Sequence, residues 1–80
     1  MDWNTMQKEV KAEVQRIGFH YVSDRPLTSH PDDWYLRVVQ GFKDNGEHAT
    51  WLYNASLKGL CEGKYNMDQR TATEDFLTRR

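Results

Sequence analysis

WYLRVVQGFK-DNGE-HATWLYNA, the stretch from Trp34 to Ala55, decides the fold. Two alternating apolar runs flank Asn45-Gly46, the strongest short-range hairpin signal a sequence carries. Asn and Gly both tolerate positive φ, which a type I′ turn requires at its two central positions. With Asp44 opposite Glu47, the register pairs Phe42 with Ala49, Gln40 with Trp51, Val38 with Tyr53 and Leu36 with Ala55. One face then carries Trp34, Leu36, Val38, Phe42, Trp51 and Tyr53 and is expected to be the core side. The other carries Tyr35, Arg37, Val39, Lys43, Thr50, Leu52 and Asn54. A slip of one residue exchanges these assignments, so the turn sets both faces.

Upstream of the hairpin, Met6, Val10, Val14 and Ile17 recur at helical spacing, with Trp3 extending the stripe and Gln7, Lys8, Lys11, Gln15 and Arg16 on the remaining surface. Asn4 with Gln7 reads as a capping box, and Asp2 is a rival cap. Gly18 stands where a left-handed residue closes a helix, with Phe19 placed to pack back on Val14 in a Schellman arrangement. Phe19–Ser23 reads as a short strand. Asp24–Asp33 holds both prolines, Pro26 and Pro31, and reads as a surface loop.

Downstream, Ser56–Gly63 is open between a bulged strand continuation and a tight turn, because Gly59 and Gly63 argue against a helix interior. A last helix is expected from Asp68 to near the C-terminus, with Asp68 as cap, Ala72 and Phe76 in the apolar stripe and Thr73 and Leu77 beside them. The expected architecture is one α+β domain over residues 1–80, in the order α-β-β-β-α. A three-stranded antiparallel sheet, or a four-stranded one if Gly63–Asn66 also pairs, is flanked by an N-terminal and a C-terminal helix. Both helices are expected on the face of Trp34 and Trp51.

Eighty residues approach the lower size for a self-sufficient core, and three Trp, four Tyr and three Phe compensate by burying the most area per residue. The formal net charge is −1. No apolar run reaches membrane-spanning length, the N-terminus lacks a secretory pattern, and the lone Cys61 has no disulfide partner in the sequence, so a cytoplasmic setting is expected. Cys61 is expected to be a buried, inert thiol.

Catalytic and metal motifs do not emerge. His20, His30, His48 and Cys61 lack zinc spacing, and His30 with Asp32 and Asp33 reads as a solvated loop. No phosphate loop or nucleophile elbow is present. The expectation is a non-enzymatic protein with no cofactor and no metal.

Two binding readings remain. Element order is similar to that of double-stranded-RNA-binding domains, whose last helix opens on a basic Lys-Lys-x-Ala-Ala type stretch. Here Asp68-Gln69-Arg70-Thr71-Ala72 has one basic residue, which removes most of the phosphate-binding charge. The nucleic-acid alternative rests on Arg37, Lys43, Lys58, Lys64 and Arg70, with Tyr35 available for stacking. The preferred reading is a protein-binding surface made of Tyr35, Arg37, Val39 and Leu52 on an open sheet face, with Asp32 and Asp33 in the acidic loop. The partner is then another protein, or a second copy in a homodimer. A short aromatic-rich chain of this kind is expected among phage- or plasmid-type accessory proteins, some of which inhibit a host defence complex.

Overall fold

The computed structural model describes residues 3–27 and 36–79, with Trp3 described in its backbone only. The order is α1 (Trp3–Arg16), β1 (His20–Pro26), β2 (Leu36–Phe42), β3 (His48–Asn54), β4 (Gly59–Met67) and α2 (Gln69–Thr78). The strands form one antiparallel sheet in the order β1-β2-β3-β4.

The N-terminal helix ends as its sequence dictates. Gly18 has φ +89°, its amide donates to Gln15 O at 3.0 Å, and the Phe19 amide donates to Val14 O at 3.1 Å. This is the Schellman closure, and it turns the chain directly into the sheet. Asn4 lies inside α1 instead of capping it, because the helix already begins at Trp3; Asp2 lies outside the described residues.

The hairpin loop differs from the expected two-residue turn. Lys43 N donates to Glu47 O at 2.8 Å, and Gly46 N donates to Lys43 O at 3.0 Å. Asp44, Asn45 and Gly46 therefore form a three-residue loop, with Gly46 at φ +90° in the left-handed position of a type I turn plus bulge. The register moves by one residue, pairing Val38 with Leu52, Val39 with Trp51, Gln40 with Thr50 and Phe42 with His48.

That shift redistributes the faces. Arg37, Val39, Ala49, Trp51 and Tyr53 share one side, and Leu36, Val38, Gln40, Phe42, Thr50 and Leu52 share the other. Adjacent residues Val38 and Val39 are both completely buried, so both faces are covered. Met6, Val10 and Val14 of α1 pack with Phe19, Val39, Ala49, Trp51 and Tyr53. Phe76 of α2 packs with Leu27 and Val38, flanked by Leu36 and Leu52. The helices thus lie on opposite faces, correcting the expectation that they share one.

β1 runs through Pro26, so Asp24–Pro26 belongs to the sheet and not to a loop. Its Arg25 donates from Nε to Phe76 O at 2.7 Å and from Nη2 to Arg79 O, pinning the end of α2. Ser56–Gly63 resolves into a turn followed by β4, the fourth strand. Two bulges accommodate it, at Glu62 (φ 50°) and Asn66 (φ 60°), where successive pairings with Leu52, Thr50 and His48 each skip a residue. Asp68 caps α2, accepting from Thr71 N at 2.7 Å, and Ala72 and Phe76 face inward as expected. Leu77 points outward at 66% exposure. Among the described residues, no helix is long and apolar enough to cross a membrane.

Candidate functional site

The register aligns one row of side chains across all four strands: His20 opposite Phe42, Phe42 opposite His48, and His48 opposite Met67. Cross-strand neighbours of this kind lie within contact reach. The His20 and Phe42 ring centroids are 5.0 Å apart, and Phe42 and His48 stack at 5.6 Å and 25°.

α2 begins immediately after Met67 and crosses the same face. Its polar side chains hook the next row of the sheet. Gln40 Nε2 donates to Thr73 Oγ1 at 3.3 Å, the Thr50 hydroxyl donates to Asp75 at 2.6 Å, and Lys64 donates to Asp75 at 3.0 Å. Burial opposes ionisation of Asp75, yet Thr50, Lys64 and Arg79 outweigh it and hold the carboxyl below its usual range.

α2 lies over β2, β3 and β4 and is joined to β1 near its C-terminal end through Arg25, while beside its first turn the face opens toward Val22. Val22, at the β1 bulge, is 42% exposed. A cleft of about 350 Å³ results, lined by Val22, Gln40, Phe42, His48, Gln69 and Thr73. Its floor is apolar and aromatic. Two amides and an imidazole supply directional groups, and His48 Nδ1 is sealed from solvent with no hydrogen-bond partner among the described residues. Beside Phe42, His20 Nε2 meets Asp44 Oδ1 at 2.7 Å. Asp68 caps α2 just before Gln69, and its carboxyl pKa is lowered first by the Thr71 amide it caps and then by the Thr71 hydroxyl. An apolar floor with few convergent polar groups suits recognition of an inserted side chain.

The residues expected to form a sheet-face surface do not come together. Val39 is completely buried under α1, and Leu52 lies half-buried on the opposite face beside Phe76. Arg37 is 7% exposed, with its Nε 3.3 Å from Asp24 Oδ2. The cause is the one-residue register difference. Tyr35, Asp32 and Asp33 lie outside the described residues, as do His30 and Trp34.

The cations of the nucleic-acid reading are dispersed and mostly engaged. Lys43 sits 4.9 Å over the Phe19 ring and 3.9 Å from Glu47. Lys64 pairs with Asp75, and Arg70 reaches Glu74 at 3.5 Å. Lys58 is exposed in the β3–β4 turn, at the other end of β3 from Lys43. The fourth strand also breaks the likeness to double-stranded-RNA-binding domains in element order.

Cys61 is exposed, not buried as expected, because β4 lies at the sheet edge; partial desolvation and then Glu62 push its thiol pKa up. Among the described residues, no group of three or more His, Cys, Asp or Glu is placed to hold a metal. His20, Phe42 and His48 escaped the sequence reading as a set because only the register unites them. No family model, curated protein or solved structure matches the chain.

Proposed function

We propose that this is a small non-enzymatic binding protein that works by docking another protein through the cleft between β1–β2 and the first turn of α2. The observation that carries this reading is the half-exposed Val22 beside Phe42 and His48. It forms an apolar floor that α2 leaves uncovered, held on strands instead of a loop. Rigid strands present such a floor at low ordering cost, which favours affinity. A cytoplasmic accessory protein of phage or plasmid type, blocking a host defence complex by occlusion, is the setting that this reading suits. A second copy of the chain is the other protein partner it allows.

Affinity capture from the native host, with and without nuclease, tests the reading against a Val22→Glu variant. Val22 is partly exposed at a bulge, so the variant is expected to keep the circular dichroism spectrum and melting temperature of the parent while losing the captured protein. Unchanged capture by Val22→Glu overturns the assignment. Capture that vanishes on nuclease treatment overturns it in favour of nucleic acid, whose binding is steeply salt-dependent.

A further inference from the structure

The charge around the cleft narrows the class of partner. Asp44, its side chain 91% exposed, meets His20 next to Phe42, and the exposed Asp68 directly precedes Gln69 of the cleft lining. The cations nearest these carboxylates in sequence are already occupied, Lys43 by Glu47 and the Phe19 ring, and Arg70 by Glu74. The positive end of α2, which by itself favours an anion, is answered by the Asp68 cap. Val22 and Phe42 give the cleft an apolar seat, and these two carboxylates adjoin its lining through His20 and Gln69.

We infer that the occupant of the cleft is a basic segment of the partner protein: one aliphatic or aromatic side chain seats on Val22 and Phe42, and lysine or arginine side chains on either side reach Asp44 and Asp68. This rests on the protein-docking reading above and deepens it. A volume of about 350 Å³ lies at the lower end of the range for small-molecule sites and accommodates a side chain or two. The same carboxylates repel a phosphate backbone, so the surface favours a basic peptide over nucleic acid. Gln69, exposed in the cleft lining, offers its amide to the peptide backbone.

The test uses the isotope-labelled full chain and three probes followed by amide chemical shifts. They are a short capped peptide with one isoleucine between lysines, the same peptide with glutamates for lysines, and a random-sequence DNA duplex. The lysine peptide alone is expected to shift Val22, Phe42, His48 and Gln69, with affinity falling as salt rises. The paired variant Asp44→Asn/Asp68→Asn keeps a competent helix cap and is expected to bind the lysine peptide roughly threefold to tenfold more weakly. Glu62→Gln, a carboxylate removed from β4, is expected to leave that affinity unchanged. Equal shifts from the glutamate peptide, no shifts from the lysine peptide, or a stronger response to DNA overturn the inference. A captured partner that is lost with Val22→Glu but retained by Asp44→Asn/Asp68→Asn also overturns it, while leaving protein docking standing.

Discussion

The amide of Lys43 donates to the carbonyl of Glu47 at 2.8 Å, across a loop whose last residue, Gly46, holds φ +90°. A side chain at that φ is strained, because Cβ crowds the backbone in the left-handed region. Gly46→Ala is therefore expected to destabilise the fold by about 1 kcal/mol, and Gly46→Asn by less, since Asn tolerates this conformation best among the other residues. Urea unfolding of the two variants checks the order.

The ion pair of Asp24 and Arg37 lies beneath α1, with the two side chains only 2% and 9% exposed. Tyr21 also donates its hydroxyl to Asp24, and burial together with that bond pushes the phenol up to about 12. Arg37→Ala is expected to lose about 3–5 kcal/mol, because Asp24 is left buried without its cation. Arg37→Met combined with Asp24→Asn keeps the volume and a partner for Tyr21, and is expected to lose less than Arg37→Ala alone. Equal or greater loss in the double variant, measured by chemical denaturation, counts against the pair as the source.

Asp75 gives the fold an acid-sensitive contact. Its folded-state pKa lies below the unfolded value, so its contribution is fully present above about pH 4 and is lost as the pH falls through the folded-state pKa. At neutral pH Asp75→Asn is expected to cost about 1–2 kcal/mol through the weakened contacts with Thr50, Lys64 and Arg79. Below pH 4 the gap between parent and variant is expected to narrow. Asp68 titrates in both proteins and cancels in the comparison. A gap constant with pH rules out the carboxylate as its origin.

Tyr65 lies across Gly63: a Cβ at residue 63 would come within 2.6 Å of the Tyr65 hydroxyl oxygen. The same oxygen accepts from Trp51 Nε1 at 2.9 Å. Gly63→Ala is expected to swing the half-exposed Tyr65 ring outward and orphan the indole N–H of a Trp51 that is 1% exposed, costing about 1–3 kcal/mol. Tyr65→Phe removes the same acceptor, so the two changes together are expected to cost less than their sum. Tryptophan fluorescence and denaturation of the single and double variants decide it.

Features specified by a few neighbouring residues were legible in the sequence. The Val10 and Val14 stripe, the Gly18 closure with Phe19, and the Asp68 cap before Ala72 and Phe76 all follow from local spacing. The hairpin was legible as a hairpin, but Asp44-Asn45-Gly46 supports both a two-residue and a three-residue closure, and these differ by one residue of register. That single step moved Val39 and Arg37 into the α1 layer, separated Val39 from Leu52, and brought Phe42 opposite His48, while the pairing of β1 with β2 adds His20 to that row. With adjacent Val38 and Val39 both buried, alternation no longer tells inside from outside. Gln40 and Thr50 are buried because Thr73 and Asp75 on α2 receive them, a match between distant segments that periodicity does not reveal. β4 was obscured for a different reason: Glu62 and Asn66 adopt left-handed conformations inside a strand, breaking the alternation by which strands are recognised.

Those irregular residues also determine how the molecule behaves in a crowd. Val22 interrupts one rim of the sheet, and Glu62 and Asn66 interrupt the other. A neighbouring chain laid along either rim meets hydrogen-bonding groups out of step with its own, so neither rim is a good template for fibril growth or strand exchange. The protein is thereby suited to accumulate at high concentration without templating its own strands.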